Sequence, residues 1–241
     1  MSLKSLMSYT FVSKYARWDE QKQRRETWGE SVDRVRQMMI DKYVDGSIHK
    51  ETTPPPVSEI ARYIDQAYGD MKKKKILGSQ RALQFGGSPI FKHNARIYNC
   101  IASYVDRPRF FQECMYLLLC GCGTGFSVQK HHIAKLPNLI KGKNGQKKFV
   151  IQDSIEGWSD AVGVLVSSYF KGDNLFPEYN GKTVVFDYSE IRPAGSNLKS
   201  SGGKAPGPDP LRNALTSIKK TLDGAIKNGQ KKLRPIEAYD I

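Results

Sequence analysis

Two periods of apolar residues alternate along the chain. In TWGESVDRVRQMMIDKY (27–43), Val32, Val35, Met39 and Tyr43 recur three and four residues apart, the spacing of one face of an α-helix. TTPPP at 52–56 interrupts this face, because proline has no N–H to donate and its ring clashes with the preceding turn. VSEIARYIDQAYGDMKKKK (57–75) predicts a second helix, its closing lysines at the negative end of the helix dipole. From about residue 81 the texture becomes strand, glycine turn, helix. RIYNCIASY (96–104) predicts a strand with Cys100 in its middle. Asp106 then stands where an N-cap belongs and Pro108 falls in the first turn. RFFQECMYLLLC (109–120) is apolar nearly all round, which predicts a helix buried on two sides. GCGTGF (121–126) predicts a glycine turn into a further strand, FSVQ.

The same pattern then recurs. KKFVIQ (147–152) predicts a strand, and Asp153 an N-cap with Glu156 completing a capping box. The helix SIEGWSDAVGVLVSSYF (154–170) and the strand KTVVFDY (182–188) follow. Strand–helix–strand units of this kind imply right-handed crossovers and a parallel or mixed sheet, so the fold class is α/β. RPAGSNLKSSGGKAPGPDPL (192–211) is too rich in glycine and proline for regular structure, and loops of that length are commonly functional. Asp209 and Pro210 open a helix whose stripe is Leu211, Leu215, Ile218, Leu222 and Ile226, closed by Gly229. RPIEAYDI (234–241) reads as a segment entering a further element.

Composition narrows the class. The 241 residues, 39% hydrophobic and 26% charged, suffice for one large domain or two small ones. No apolar run is long enough to cross a bilayer, the N-terminus does not read as a secretory signal, and four cysteines make no disulfide framework. A cytoplasmic location is expected. The net charge of +14 is mostly scattered lysine, with runs at KKKK (72–75) and KGKNGQKK (141–148). Nucleic-acid faces interleave arginines with aromatics, so direct nucleic-acid contact is not expected, while a pull toward an anionic nucleotide remains.

The residues leave the role of Cys100 open among nucleophile, metal ligand, redox centre and small core residue, with periodicity favouring the core. Cys120, Cys122, His131 and His132 do not have zinc-finger spacing, so no metal site is expected. A nucleophilic pair of Cys100 with His132 is compatible with the spacing. GCGTGF lacks the Lys-Ser/Thr of a Walker A loop and the third glycine of a dinucleotide fingerprint.

Taken in order, LQFGGSPIFKHNARIYNC (83–100), GCGTGFSVQKHHIAKLP (121–137), QDSIEGWSDAVGVLVSSYF (152–170) and FDYSEIRPAGSNLKSSGGKAPGPDPL (186–211) resemble the adenosylcobalamin-dependent ribonucleotide reductases of the single-chain, triphosphate-reducing kind. FVSKYARWDEQKQRRETWGESVDRV (11–35) resembles that family's N-terminal helical segment. The resemblance implies a helical region over 1–80, followed at 81–241 by the first half of a reductase-type α/β barrel. An inserted helix–strand unit at about 141–182 would imitate a dimer interface.

Site residues follow from the same resemblance. Cys100 would be half of a redox pair that becomes a disulfide as the ribose 2′-hydroxyl is removed, regenerated by a thioredoxin-like dithiol. Ser88 and Asn99 match substrate-holding positions, and Gly123 and Gly125 match a backbone that approaches the nucleotide. Asp153, Ser154 and Lys204, with the loop Arg192–Pro208, would hold a deoxynucleoside triphosphate effector, Asp106 being the original of that helix start. Cys114, Cys120 and Cys122 match no family role. The radical-bearing cysteine, the second redox cysteine and most of the adenosylcobalamin face belong to parts of the family not found in these residues. The chain therefore reads as the N-terminal third of a split reductase, inactive alone and completed by a C-terminal reductase fragment. Two other readings are an inactive nucleotide-binding regulator and, less favoured, a basic nucleic-acid-binding module.

Overall fold

The computed structural model describes residues 2–45, 57–140, 142, 145–172, 175–196, 198 and 204–241. The TTPPP stretch, part of the basic run 141–148 and most of 197–203 lie outside the described residues. The chain forms two compact units. One is Met1–Tyr98 with Leu198–Gly203, and the other is Asn99–Asn197 with Lys204–Ile241.

The first unit is helical. Helix α1 (Leu3–Lys14) is capped by Ser2, whose Oγ accepts from Ser5 N, and buries no residue. A short antiparallel hairpin, β1 (Trp18–Asp19) and β2 (Arg24–Arg25), leads into α2 (Trp28–Ile40). Thr27 and Glu30 close a capping box at the start of α2, so two otherwise unpaired N–H donors are satisfied reciprocally. Helix α2 buries Ser31, Val32, Val35 and Met38. Met38 is fully buried, and the expected Met39 packs on the same core from its edge, half-buried. Tyr43 is exposed, in the π-helical turn Asp41–Asp45. Helices α3 (Val57–Lys72), α4 (Gln80–Phe85) and α5 (Ser88–Lys92) complete the unit, with a 3-10 turn at Asn94–Ile97. Val32, Val35, Met38, Met71, Leu83 and Phe85 form its core. The sharp turn from α4 to α5 needs Gly86, where a methyl group would lie 2.4 Å from the Ala82 carbonyl oxygen, and Gly87, at φ 90°.

The second unit is α/β. Its order is β3 (Cys100–Tyr104), α6 (Arg109–Leu119), β4 (Gly123–Ser127), α7 (Lys130–Ile133), β5 (Gln146–Val150), α8 (Ile155–Tyr169), β6 (Thr183–Asp187), α9 (Asp209–Lys227) and α10 (Pro235–Asp240). β3 pairs β4 and β5 pairs β6, both parallel. The expected crossovers are therefore present, but the strands make separate two-stranded sheets, and no closed barrel is formed among the described residues. Barrel closure requires each edge strand to find a further neighbour.

Helix α8 is the hub, with Gly157, Ser159 and the run Ala161–Ser168 all buried. Against it stand Ile151, Phe170 and the α9 stripe Leu211, Leu215, Ile218 and Leu222. Ala225 rather than Ile226 completes that stripe inward. Gly229, at φ 73°, lies just past the end of α9. The closing RPIEAYD is itself a short helix, α10, with Arg234 N donating to the Glu237 carboxylate.

Helix α6 departs from expectation. Only Phe110 and Phe111 are fully buried, and Leu118 is 51% exposed. Among the described residues it packs mainly on α8 and β4. Its N-cap is Pro108, without a side-chain cap, while Asp106 pairs with Arg107 instead of capping.

Candidate functional site

Strand alternation turns Cys100, Ala102 and Tyr104 to the open face of β3 and Ile101 and Ser103 inward. In register, Cys100 lies opposite Gly123 and Ala102 opposite Gly125. Gly123 N donates to Asn99 O at 2.7 Å, and Val105 N to Ser127 O at 3.0 Å, so the ladder runs past both strand ends. The two glycines are strand residues, not the expected turn. The turn is the Cys120–Cys122 stretch, with Gly121 at φ 90°. A methyl group on Gly123 would stand 3.8 Å from Cys100 Sγ, an ordinary contact. A small side chain would therefore fit there, and glycine leaves the backbone bare beside the thiol.

Cys100 opens the strand rather than occupying its middle, and it is exposed, so the small-core reading does not hold. Cys120 and Cys122 are buried, and burial pushes the Cys114 thiol up, away from the reactive thiolate. The pair of Cys100 with His132 is not formed. His132 Nδ1 meets Ser127 Oγ at 3.1 Å and its ring lies 4.6 Å from that of Tyr104, both at the far end of the strand pair. Four residue steps of strand put that end about 13 Å from Cys100.

The second locus is the start of α8. Ser154 is the N-cap, its Oγ accepting from Gly157 N at 3.0 Å. Gly157 is obligatory, since a methyl group there would meet the Gln152 carbonyl oxygen at 2.4 Å. The helix thus begins one residue later than expected, and the box of Asp153 with Glu156 is not formed. Asp153 instead makes an ion pair with Arg192, at the head of the glycine–proline loop. Gly195 and Ser196 pair through their backbone with Ala205, which returns the exposed Lys204 to this stretch. Asp153, Ser154 and the loop ends therefore share one region of the α/β unit, and Cys100, Asn99, Gly123 and Gly125 share another. Ser88 belongs to the helical unit, exposed as the first residue of α5.

No local motif marks the polar crossing between α6 and α8. Gln112 Nε2 donates to Asp160 Oδ1, and a methyl group on Gly163 would lie 2.8 Å from Phe176 and 3.1 Å from Gln112 Cδ. The adjoining cavity, ≈ 460 Å³, is lined by Ser103, Arg107, Gln112, Glu113, Thr124 and Asp160. Burial raises the Asp160 carboxyl above its ordinary range. These contacts join residues far apart in sequence, and only a helix crossing brings them together.

Among the described residues no group of three or more His, Cys, Asp or Glu can hold a metal ion, and no helix is long and apolar enough to cross a membrane.

Residues 130–222 match the family model described as B12-dependent ribonucleotide reductase, insertion domain. The structure is similar to a crystal structure of B-12 dependent (class II) ribonucleotide reductase, with a TM-score of 0.79 and 22% identity, over 95% of this chain and 38% of that one. By sequence over residues 130–222 and by fold over most of its length, the chain is therefore similar to the N-terminal part of the B12-dependent ribonucleotide reductases. Within that class, its curated relatives are adenosylcobalamin-dependent ribonucleoside-triphosphate reductases. That of Lactobacillus gasseri is 26% identical over 96% of this chain, and that of Euglena gracilis 28% over 89%. The chain spans 38% and 29% of the lengths of these two relatives.

Proposed function

We propose that this chain supplies the redox strand and the effector-binding helix of an adenosylcobalamin-dependent ribonucleoside-triphosphate reductase whose remaining elements lie outside these 241 residues. The observation that carries the reading is the exposed Cys100 thiol set against the bare Gly123 on a parallel strand pair. In this reading Cys100 and a second thiol outside these residues give up two electrons and become a disulfide, while the ribose 2′-hydroxyl leaves as water. A thioredoxin-like dithiol then restores both thiols. Asn99 and Gly123 line the substrate side of the strand start, and Ser88 and Gly125 keep substrate-binding roles. Asp153, Ser154 and Lys204 hold the deoxynucleoside triphosphate effector, with Arg192 fixing the loop to the helix start.

Adenosylcobalamin is the cofactor of the relatives, and when bound it supplies the radical that starts the reaction. The described residues do not fit it. The cavities of ≈ 460 and ≈ 530 Å³ are the size of small-molecule sites rather than of a corrin with its nucleotide arm, so cobalamin is assigned to the complementary part.

The test is reconstitution. The chain is combined with the remaining reductase part, adenosylcobalamin, a dithiol and a ribonucleoside triphosphate, and deoxynucleotide is measured. Turnover is expected only from the mixture, and Cys100→Ser is expected to abolish multiple turnover while leaving cobalt–carbon cleavage intact. Normal turnover by Cys100→Ser, or turnover by the chain alone, sinks the proposal.

A further inference from the structure

Helix α9 begins where strand β6 ends. Arg212, in its first turn, stacks on Tyr188, just past the strand, with the guanidinium 4.7 Å from the ring centre. The helix then runs back beside the strand, so Lys227, its last residue, comes to the end where Lys182 precedes β6. A cavity of ≈ 530 Å³ lies between them, within the size range of small-molecule sites. Its two ends differ. Phe186 and Tyr188, with ring centres 6.4 Å apart, and Leu215 make one end aromatic and apolar. Lys182 and Lys227 make the other end basic, with Lys219 and Asp223 on the helix wall between.

The positive charge at the basic end is not neutralised within the groove. Asp223, the one carboxylate among the described lining residues, is already engaged: it accepts from the Tyr169 hydroxyl at 2.6 Å and from the Lys219 ammonium. Burial first, then this bond to Asp223, holds the Tyr169 phenol above its ordinary range, so it stays a donor. Lys182 and Lys227 have no carboxylate within ion-pair distance among the described residues. The helix ends do not occupy them either. Asn228 N, Gln230 N and Gly229 N already meet the Gly224, Ala225 and Ile226 carbonyls that close α9. Gly181 N and Ile140 N meet those of Ser168 and Tyr169 at the end of α8.

We propose that this groove binds a small phosphomonoester carrying a flat apolar group, its phosphate held by Lys182 and Lys227 and its ring set against Phe186 and Tyr188. A phosphomonoester is close to a dianion at neutral pH and matches two ammoniums, whereas one carboxylate would leave an ammonium unpaired. Aromatic walls take a flat ring by offset or edge-on contact. The basic end lies at the tail of α8, whose 15 residues put it about 22 Å from Asp153 and Ser154 at the head.

The probes are phenyl phosphate, methyl phosphate and phenol, titrated calorimetrically into the 241-residue chain in chloride buffer. Phenyl phosphate is expected to bind at least tenfold more tightly than either of the others, because methyl phosphate lacks the ring and phenol the charge. Lys182→Gln is expected to weaken phenyl phosphate about tenfold, the loss of one charge-assisted contact, and Lys227→Gln severalfold. Lys220→Gln, exposed on α9 outside the groove, is expected to leave binding unchanged. If Lys182→Gln fails to fold, Lys182→Met keeps the apolar stem and is read in its place. Equal affinity for phenyl and methyl phosphate overturns the proposal, since it marks adsorption to surface charge. So does wild-type binding by the folded Lys182 variant, or a loss in Lys220→Gln as large as in Lys182→Gln. None of these residues is assigned to the reductase chemistry, so this titration and turnover in the reconstituted enzyme succeed or fail independently.

Discussion

The α/β unit holds two strand–helix–strand segments built to one plan and finished differently. β3–α6–β4 and β5–α8–β6 each pair five residues of strand in parallel, and each extends its ladder by one bond at either end: Gly123 N to Asn99 O and Val105 N to Ser127 O in the first, Thr183 N to Gly145 O and Ile151 N to Asp187 O in the second. In the first, the open face carries a thiol and two glycines. In the second, the same kind of face carries Lys148 in an ion pair with Asp187, which holds the Asp187 carboxyl down at about 2. The helices divide in the same way. α6 buries two phenylalanines and leaves Leu118 half open, whereas α8 is enclosed along most of its length. One segment leaves a thiol and bare backbone exposed, and the other supplies buried core. A repeated architecture can thus differ in exposure and burial through side chains alone.

Core substitutions should break this comparison most sharply. Leu165→Ala in α8 removes a buried side chain from the main core and is expected to cost about 2–5 kcal/mol. Leu118→Ala in α6 is expected to stay within about 0.5 kcal/mol, as at exposed positions. Urea denaturation of the two variants measures both. Similar losses for the two would show that α6 is as deeply seated as α8. Gly163→Val comes next. Its side chain has to displace Phe176 and Gln112 at the helix crossing, and an overpacking cost of about 1–3 kcal/mol is expected. A neutral result in the same denaturation would mean that the crossing yields without strain.

Much of this plan is legible in the sequence, and the failures have physical causes. The α9 stripe could be read because an amphipathic helix leaves one answer for where its leucines go. The strands could be read from their β-branched and aromatic residues. The sequence pattern puts the start of α8 one residue early because Asp153 and Ser154 are adjacent and cap about equally well, so composition cannot choose between them. The exposure of α6 depends on which neighbours surround it, which a helix's own residues do not record. The glycines of GCGTGF predict a turn because glycine more often marks a break than a strand position. The pairing of Arg192 with Asp153 has no local signature, since tertiary folding alone brings those side chains together.

The smallest effect gives the finest test, because it separates the two roles found at the head of α8. Ser154→Ala removes the cap on Gly157 N and is expected to cost about 1 kcal/mol, read as a lowered urea midpoint. Asp153→Asn keeps a polar side chain and loses only the partly exposed ion pair with Arg192, for which about 0–1 kcal/mol is expected. In the reconstituted enzyme the order should reverse. Asp153→Asn combined with Lys204→Ala is expected to flatten the dependence of substrate choice on the added deoxynucleoside triphosphate, because the loop is then no longer tied to the helix start. Ser154→Ala is expected to disturb that dependence less, since helix propagation beyond the first turn rests on the buried face of α8. If substrate choice keeps its full effector response in the Asp153→Asn, Lys204→Ala protein, the head of α8 is a capped helix and nothing more, and the effector has to bind elsewhere.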